Sequence, residues 1–148
     1  MTLNLPPTPP DWSDHHSGPV APPLAPARAV FRRALTHGPR WLGAAMALRN
    51  LVVRPFGLVI RVDDTTGPAG FLDSLPVIED SDDRFETGLT DRHLTFTLVT
   101  EIRDGQVHVS TRIWFHHALG RLYLALVWPA HELILRAMLR GLSRETRP

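Results

Sequence analysis

Two alternating segments joined by Asp104-Gly105 and followed by a long apolar stretch constrain this chain more than any other feature. From His93 to Ile102, Leu94, Phe96, Leu98 and Ile102 fall on one face, with His93, Thr95, Thr97 and Glu101 on the other. That two-residue rhythm is the mark of a strand with one face in a core. Gln106 to His117 repeats it, setting Val107, Val109, Thr111, Ile113 and Phe115 opposite His108, Ser110, Arg112, Trp114 and His116. Asp-Gly between two such runs predicts a tight hairpin, because the turns that match strand twist need positive φ. The segment GRLYLALVWPAHELILRAMLRGL, beginning at Gly120, then reads as one long helix, apolar on nearly all sides and buried. Strands closed by such a helix imply an α+β fold in which a sheet grips the helix, with room for a pocket between them.

The remaining elements follow from breaks in period. Residues 1–26 hold eight of the fourteen prolines and read as a tail, extended at its start, although His15 to Val20 could add an edge strand. Pro26 favours a helix start, and Ala27 to Thr36 reads as a short helix with Phe31, Ala34 and Leu35 as its apolar stripe. Trp41, Leu42, Ala45, Leu48, Leu51 and Val52 make Pro39 to Val53 a second helix, stopped by Pro55. A strand-like trace runs through Phe71, Leu75 and Val77, the acidic cluster Glu79 to Asp83 makes a turn, and RFETGL follows as a further strand. The result is an antiparallel meander of about four to six strands. Pro129 lies inside the C-terminal helix and should bend it or split it at Trp128.

Composition narrows the function classes. A length of 148 residues suits one domain, here 27–148 after the tail, with 43% hydrophobic residues for its core. The absence of cysteine excludes thiolate catalysis and cysteine-ligated metals. The N-terminus lacks the basic and apolar regions of a secretory signal, so a cytoplasmic setting is expected. The longest apolar run, Leu122 to Leu135, is 14 residues and short of a bilayer span, so no transmembrane segment is expected. All 16 basic residues are arginine; seven lie between Ala27 and Arg61 with no acid, whereas Val62 to Asp104 holds eleven acids and three arginines. The two regions should attract each other, the alternative being an arginine-rich interaction surface for an acidic partner or anionic lipid. No motif of nucleic-acid recognition accompanies the arginines, and no nucleic-acid partner is expected. Nor is there a glycine-rich phosphate loop or a G-x-S-x-G elbow.

The words Asp91-Arg92-His93-Leu94-Thr95-Phe96, Gly120-Arg121 with Tyr123, and Pro129 with His131, preceded by Pro39-Arg40-Trp41, Leu48-Arg49-Asn50 and Arg54-Pro55, resemble a bacterial domain family of unknown function. That family looks related to the START and polyketide-cyclase helix-grip proteins, and the resemblance covers roughly residues 27–142. It implies a curved antiparallel sheet wrapped around a long C-terminal helix, two short helices closing one end, and an apolar cavity in between. It implies no single activity, because members of the wider superfamily bind lipids, hormones and polyketides and only some are enzymes.

Six residues are candidates for ligand contact. His131 sits in the most apolar part of the chain, where it either serves a ligand or completes a packed core. Tyr123 could offer its hydroxyl to a ligand carbonyl, and Arg121 could clamp a carboxylate or instead fasten the helix entrance. Of Asp91, Arg92 and His93, His93 has the better chance of facing a concave surface, because adjacent strand residues diverge. Arg49 and Trp114 complete the set, Arg49 with an internal ion pair as its alternative. His116 and His117 are consecutive on a strand and diverge, so no metal site and no cofactor is expected. The leading expectation is a domain that binds a small hydrophobic molecule between sheet and helix. The alternative is a cyclase, hydratase or isomerase using His131 or His93 for acid–base chemistry with Tyr123 or Arg121. Oligomeric state is left open by the sequence.

Overall fold

The computed structural model describes residues 3–20, 25–36, 40–56 and 75–144. In chain order they form β1 (Trp12–Pro19), α1 (Ala27–Thr36), α2 (Leu42–Val53) with a single 3-10 turn at Arg54–Phe56, β2 (Val77–Asp80), β3 (Arg84–Thr90), β4 (Leu94–Arg103), β5 (Gln106–Phe115) and α3 (Ala118–Arg144). The sheet is antiparallel throughout, in the order β1-β5-β4-β3-β2. This is an α+β, helix-grip-like arrangement: a five-stranded sheet, two short N-terminal helices and one long C-terminal helix.

The hairpin between β4 and β5 has the geometry its residues require. Asp104 and Gly105 both take positive φ, 53° and 71°, as a two-residue turn with matching twist needs. It fixes the register in which Leu98 faces Thr111 and Phe96 faces Ile113. The edge strand lies within the proline-rich segment, beginning at Trp12, and pairs with β5 so that Asp14 stands opposite Thr111. Pro19 ends the pairing, and among the described residues no proline lies in a central strand.

One face of the sheet carries Leu94, Phe96, Leu98, Val107, Val109 and Ile113 toward the helices. Ala27, Phe31 and Leu35 of α1 join Phe85 of β3 and Met138 of α3 in the main core, while Val30, Val107 and Leu142 form a second cluster beside it. Each such large side chain contributes about 1.5–3 kcal/mol on burial. At the start of α1, the Ala27 N–H donates to the Asp82 carbonyl at 2.8 Å and Arg28 reaches Asp80 at 2.7 Å. That pair is one realisation of the expected attraction between the basic and acidic segments.

The opposite face is also buried at the centre of β3 and β4, which the polar alternation did not predict. Glu86, Thr95, Thr97 and Val99 are each less than 5% exposed. Threonine and valine suit a strand covered on both sides, where a charged outer face would not. Glu86 is offset by Arg84, whose guanidinium also engages Glu79 and Glu101. Burial works against the Arg84 charge, but these carboxylates outweigh it and hold the guanidinium above its ordinary pKa.

Of the two outcomes expected at Pro129, a bend or a split, the split is excluded, and the expectation of a helix buried on all sides is corrected. The helix is not split: α3 runs unbroken from Ala118 to Arg144 through Pro129. Pro129 and Ala125, four residues earlier, are both exposed, so water reaches the carbonyl that the missing N–H leaves free. Nor is the helix buried all round. Leu135, Met138 and Leu142 face inward, whereas Leu122, Leu126 and Leu133, four and seven residues apart, are 49–56% exposed on the outer face. By length and composition Ala118–Leu142 is apolar enough to cross a membrane, contrary to the reading from its longest unbroken run. The helix packs on α1, α2, β1 and β5.

Candidate functional site

An apolar pocket of about 230 Å³ lies between the sheet and the three helices. Phe31 and Leu35 of α1, Leu98 of β4, Val109 of β5 and Leu135 of α3 are among its walls. Strand alternation supplies the sheet side, because only every second residue of β4 and β5 reaches it. The helix side comes from Tyr123, Val127, His131 and Ile134, spaced three and four residues apart on α3. Polar groups are few on this lining: Thr100, Thr111, Tyr123 and His131.

Two of them meet. The Thr111 hydroxyl lies 3.2 Å from His131 Nε2. Behind this pair, on β1, stands Asp14: its Oδ1 accepts the Thr111 N–H at 2.9 Å, and its Oδ2 lies 3.7 Å from His131 Nε2. A second imidazole flanks the same oxygen, with His16 Nε2 at 3.3 Å. The Asp14 side chain is 7% exposed, so one nearly buried carboxylate is set between two histidines at the wall of an apolar pocket. Neither Asp14 Oδ2 nor His16 Nε2 completes a well-directed hydrogen bond. Such polar atoms are costly to bury without a partner, and they mark a place where further hydrogen-bonding capacity is held in reserve.

Burial among the apolar residues lowers the His131 pKa below the ordinary imidazole value; Asp14 opposes that shift and His16 adds to it. His131 is therefore neutral near pH 7. Trp128 lies over it, with ring centroids 6.2 Å apart, and meets Trp12 of β1 edge-on at 4.6 Å. This aromatic contact joins β1 to α3 next to the cluster.

Of the six residues singled out in the sequence, His131 and Tyr123 line the pocket. Arg121 is exposed and stacks over the Phe115 ring at 5.3 Å, at the entrance of α3. His93 precedes β4; its carbonyl accepts the His116 N–H at 2.9 Å and its ring faces His117. Trp114 points to the other face of the sheet, where its indole N–H donates to the Thr8 carbonyl at 2.8 Å. It anchors the segment before β1. Arg49 belongs to α2, and its side chain lies outside the described residues.

The residues that sequence reasoning missed are Asp14, His16 and Thr111. Asp14 and His16 are two apart in WSDHHSGP, so a strand there puts both on one face and His15 on the other. That spacing was the available signal.

Residues 8–138 match the model of a family described as a protein of unknown function, DUF2867. The matched span opens before β1 and closes within α3 beyond His131, so it takes in the pocket-wall cluster and begins ahead of residue 27. No curated protein and no solved structure matches the chain.

Proposed function

The chain belongs to the DUF2867 family of proteins of unknown function, and we propose that this protein binds a small, largely apolar molecule in the pocket between its sheet and α3. The observation that carries the reading is the lining: apolar side chains on nearly every side, with the polar pair Thr111 and His131 at one wall. That is the usual division of labour in a ligand pocket, where apolar surface supplies affinity and a few placed polar groups fix orientation. Size limits the occupant. An apolar cavity of roughly 150 Å³ holds benzene, and about 230 Å³ suits a substituted single ring or a short chain. The resemblance to helix-grip proteins supports the same reading, since it implies a cavity in this place. The polar end of the ligand, a carbonyl or hydroxyl, then meets His131 and Thr111.

The test is native mass spectrometry of the purified protein followed by denaturing extraction, together with titration against C6–C10 carboxylic acids, ketones and monocyclic aromatics. Binding of one class, lost in Val109→Phe with the fold intact by circular dichroism, is the expected result. A protein that carries nothing and responds to none of the panel overturns the reading.

A further inference from the structure

We propose that His131, bonded to Thr111 and beside the Asp14 carboxylate, is a general base that removes a carbon-bound proton from a small, largely apolar carbonyl compound in this pocket. The inference rests on the binding reading above and adds a reaction to it. Its basis is the placement of two imidazoles, His16 from β1 and His131 from α3, around a single carboxylate oxygen, Asp14 Oδ2, at 3.3 Å and 3.7 Å. A core histidine that merely completes packing needs one partner, and Thr111 already supplies it.

The chemistry follows from the inventory of donors. A carboxylate only accepts hydrogen bonds, so the imidazole nitrogen facing it carries the proton. In His131 the nitrogen on that side is Nε2, which pairs with the Thr111 hydroxyl at 3.2 Å and stands 3.7 Å from Asp14 Oδ2, so the carboxylate acts on it electrostatically and favours the form with the proton on Nε2. The other ring nitrogen, Nδ1, then keeps its lone pair and is the basic atom. Asp14 does not touch substrate; it is a positioning residue that selects the tautomer and stabilises the imidazolium formed on proton uptake. Burial keeps His131 unprotonated at neutral pH, the state a base requires. The groups acting on it are Asp14 and His16 from β1, Thr111 from β5, and Trp128 on its own helix.

On a carbonyl compound, Nδ1 takes the α-proton, the C–H pair moves to form the enolate, and the imidazolium returns the proton to the same or a conjugated carbon. Atoms and electrons balance without a second reactant, so the reaction class is isomerisation or α-proton exchange. Tyr123 lines the same pocket and is the second polar side chain that α3 offers there.

The probe is 5-nitrobenzisoxazole, a flat apolar molecule whose ring-bound proton is lost to a base as the N–O bond opens to a coloured cyanophenolate. It needs a base and an apolar site and nothing else. Binding is followed separately through methyl shifts of Ile113 and Val127 in NMR spectra. Saturable turnover above that of imidazole at equal concentration, reduced about 100-fold in His131→Phe, is the expected result. The wild-type rate should rise with pH through a pKa below that of free imidazole, which keeps the test independent of whether the variant folds. Asp14→Asn should lower kcat more than it changes KM. It should also move the acid limb of the profile to lower pH, because the carboxylate that raises the His131 pKa is gone. A probe that binds without turnover above His131→Phe overturns the base and leaves the pocket standing. A probe and ligand panel that do not bind overturn both.

Discussion

Gly120 offers a sharp test of how α3 is seated on the sheet. A Cβ added there would stand 2.6 Å from the His93 carbonyl oxygen and 3.3 Å from Phe115 Cδ1. Ordinary carbon–oxygen contacts are about 3.3 Å or longer, so the overlap is roughly 0.7 Å. The carbonyl cannot yield cheaply, since it accepts the His116 N–H at 2.9 Å and so closes the β4–β5 pairing at its open end. Overpacking of this kind costs about 1–3 kcal/mol, against about 0.5–1 kcal/mol gained when alanine replaces glycine inside a helix. Gly120→Ala should therefore destabilise by about 1–2 kcal/mol. At this chain length that is a fall in Tm of roughly 2–8 °C. Gly43, in α2, supplies the internal control, because nothing lies within 4 Å of its added Cβ. Gly43→Ala should be neutral to stabilising, by up to about 1 kcal/mol. Paired urea denaturation of the two variants reads the difference in sign. If Gly120→Ala is as harmless as Gly43→Ala, the entrance of α3 does not approach the start of β4, and the pocket walls set by that approach are wrong.

Two further outcomes test the core and the cluster. Met138→Ala, in the cluster with Phe31 and Phe85, should cost about 2–5 kcal/mol, whereas Leu126→Ser, on the exposed face of α3, should stay within about 0.5 kcal/mol; equal losses in urea unfolding would contradict the one-sided burial of the helix. The His131 pKa is lower in the folded protein than in the unfolded chain, so above about pH 6.5 the residue adds no pH dependence. As pH falls from there through the folded pKa, the unfolded chain binds the proton first and stability declines. Urea midpoints at about pH 7.5 and about pH 5.5 should converge in His131→Phe relative to wild type; an unchanged difference would refute burial of the neutral imidazole. Trp128 fluorescence, quenched as the neighbouring ring protonates, follows the same titration.

The legible part of this fold was the part encoded in short-range pattern. The alternation from His93 to His117 and the Asp104-Gly105 turn gave β4, β5 and the face each side chain takes, and Ala27 to Thr36 was bounded by its proline and glycine signals. Pattern alone misjudged the surroundings of those faces. Thr95 and Thr97, on the face opposite the apolar one, are buried as well, and the leucines of α3 read as core are in part exposed, because periodicity says which residues share a face and not what covers it.

The site fails to be legible for a related reason. His131 is conspicuous in the sequence because it interrupts an apolar helix, but Asp14 lies 97 residues before the strand position it caps, in a segment whose prolines suggest a tail. Only the register that sets Asp14 opposite Thr111 brings the carboxylate to the pocket wall. A one-residue slip of β1 would turn Asp14 and His16 outward and put Ser13 and His15 in their place, leaving His131 with Thr111 alone. The edge strand is thus the element that builds the cluster at the pocket wall, and the residues flanking Asp14 hold its register: Trp12 against Trp128 on α3, and Asp11 accepting the Phe115 N–H at 2.8 Å.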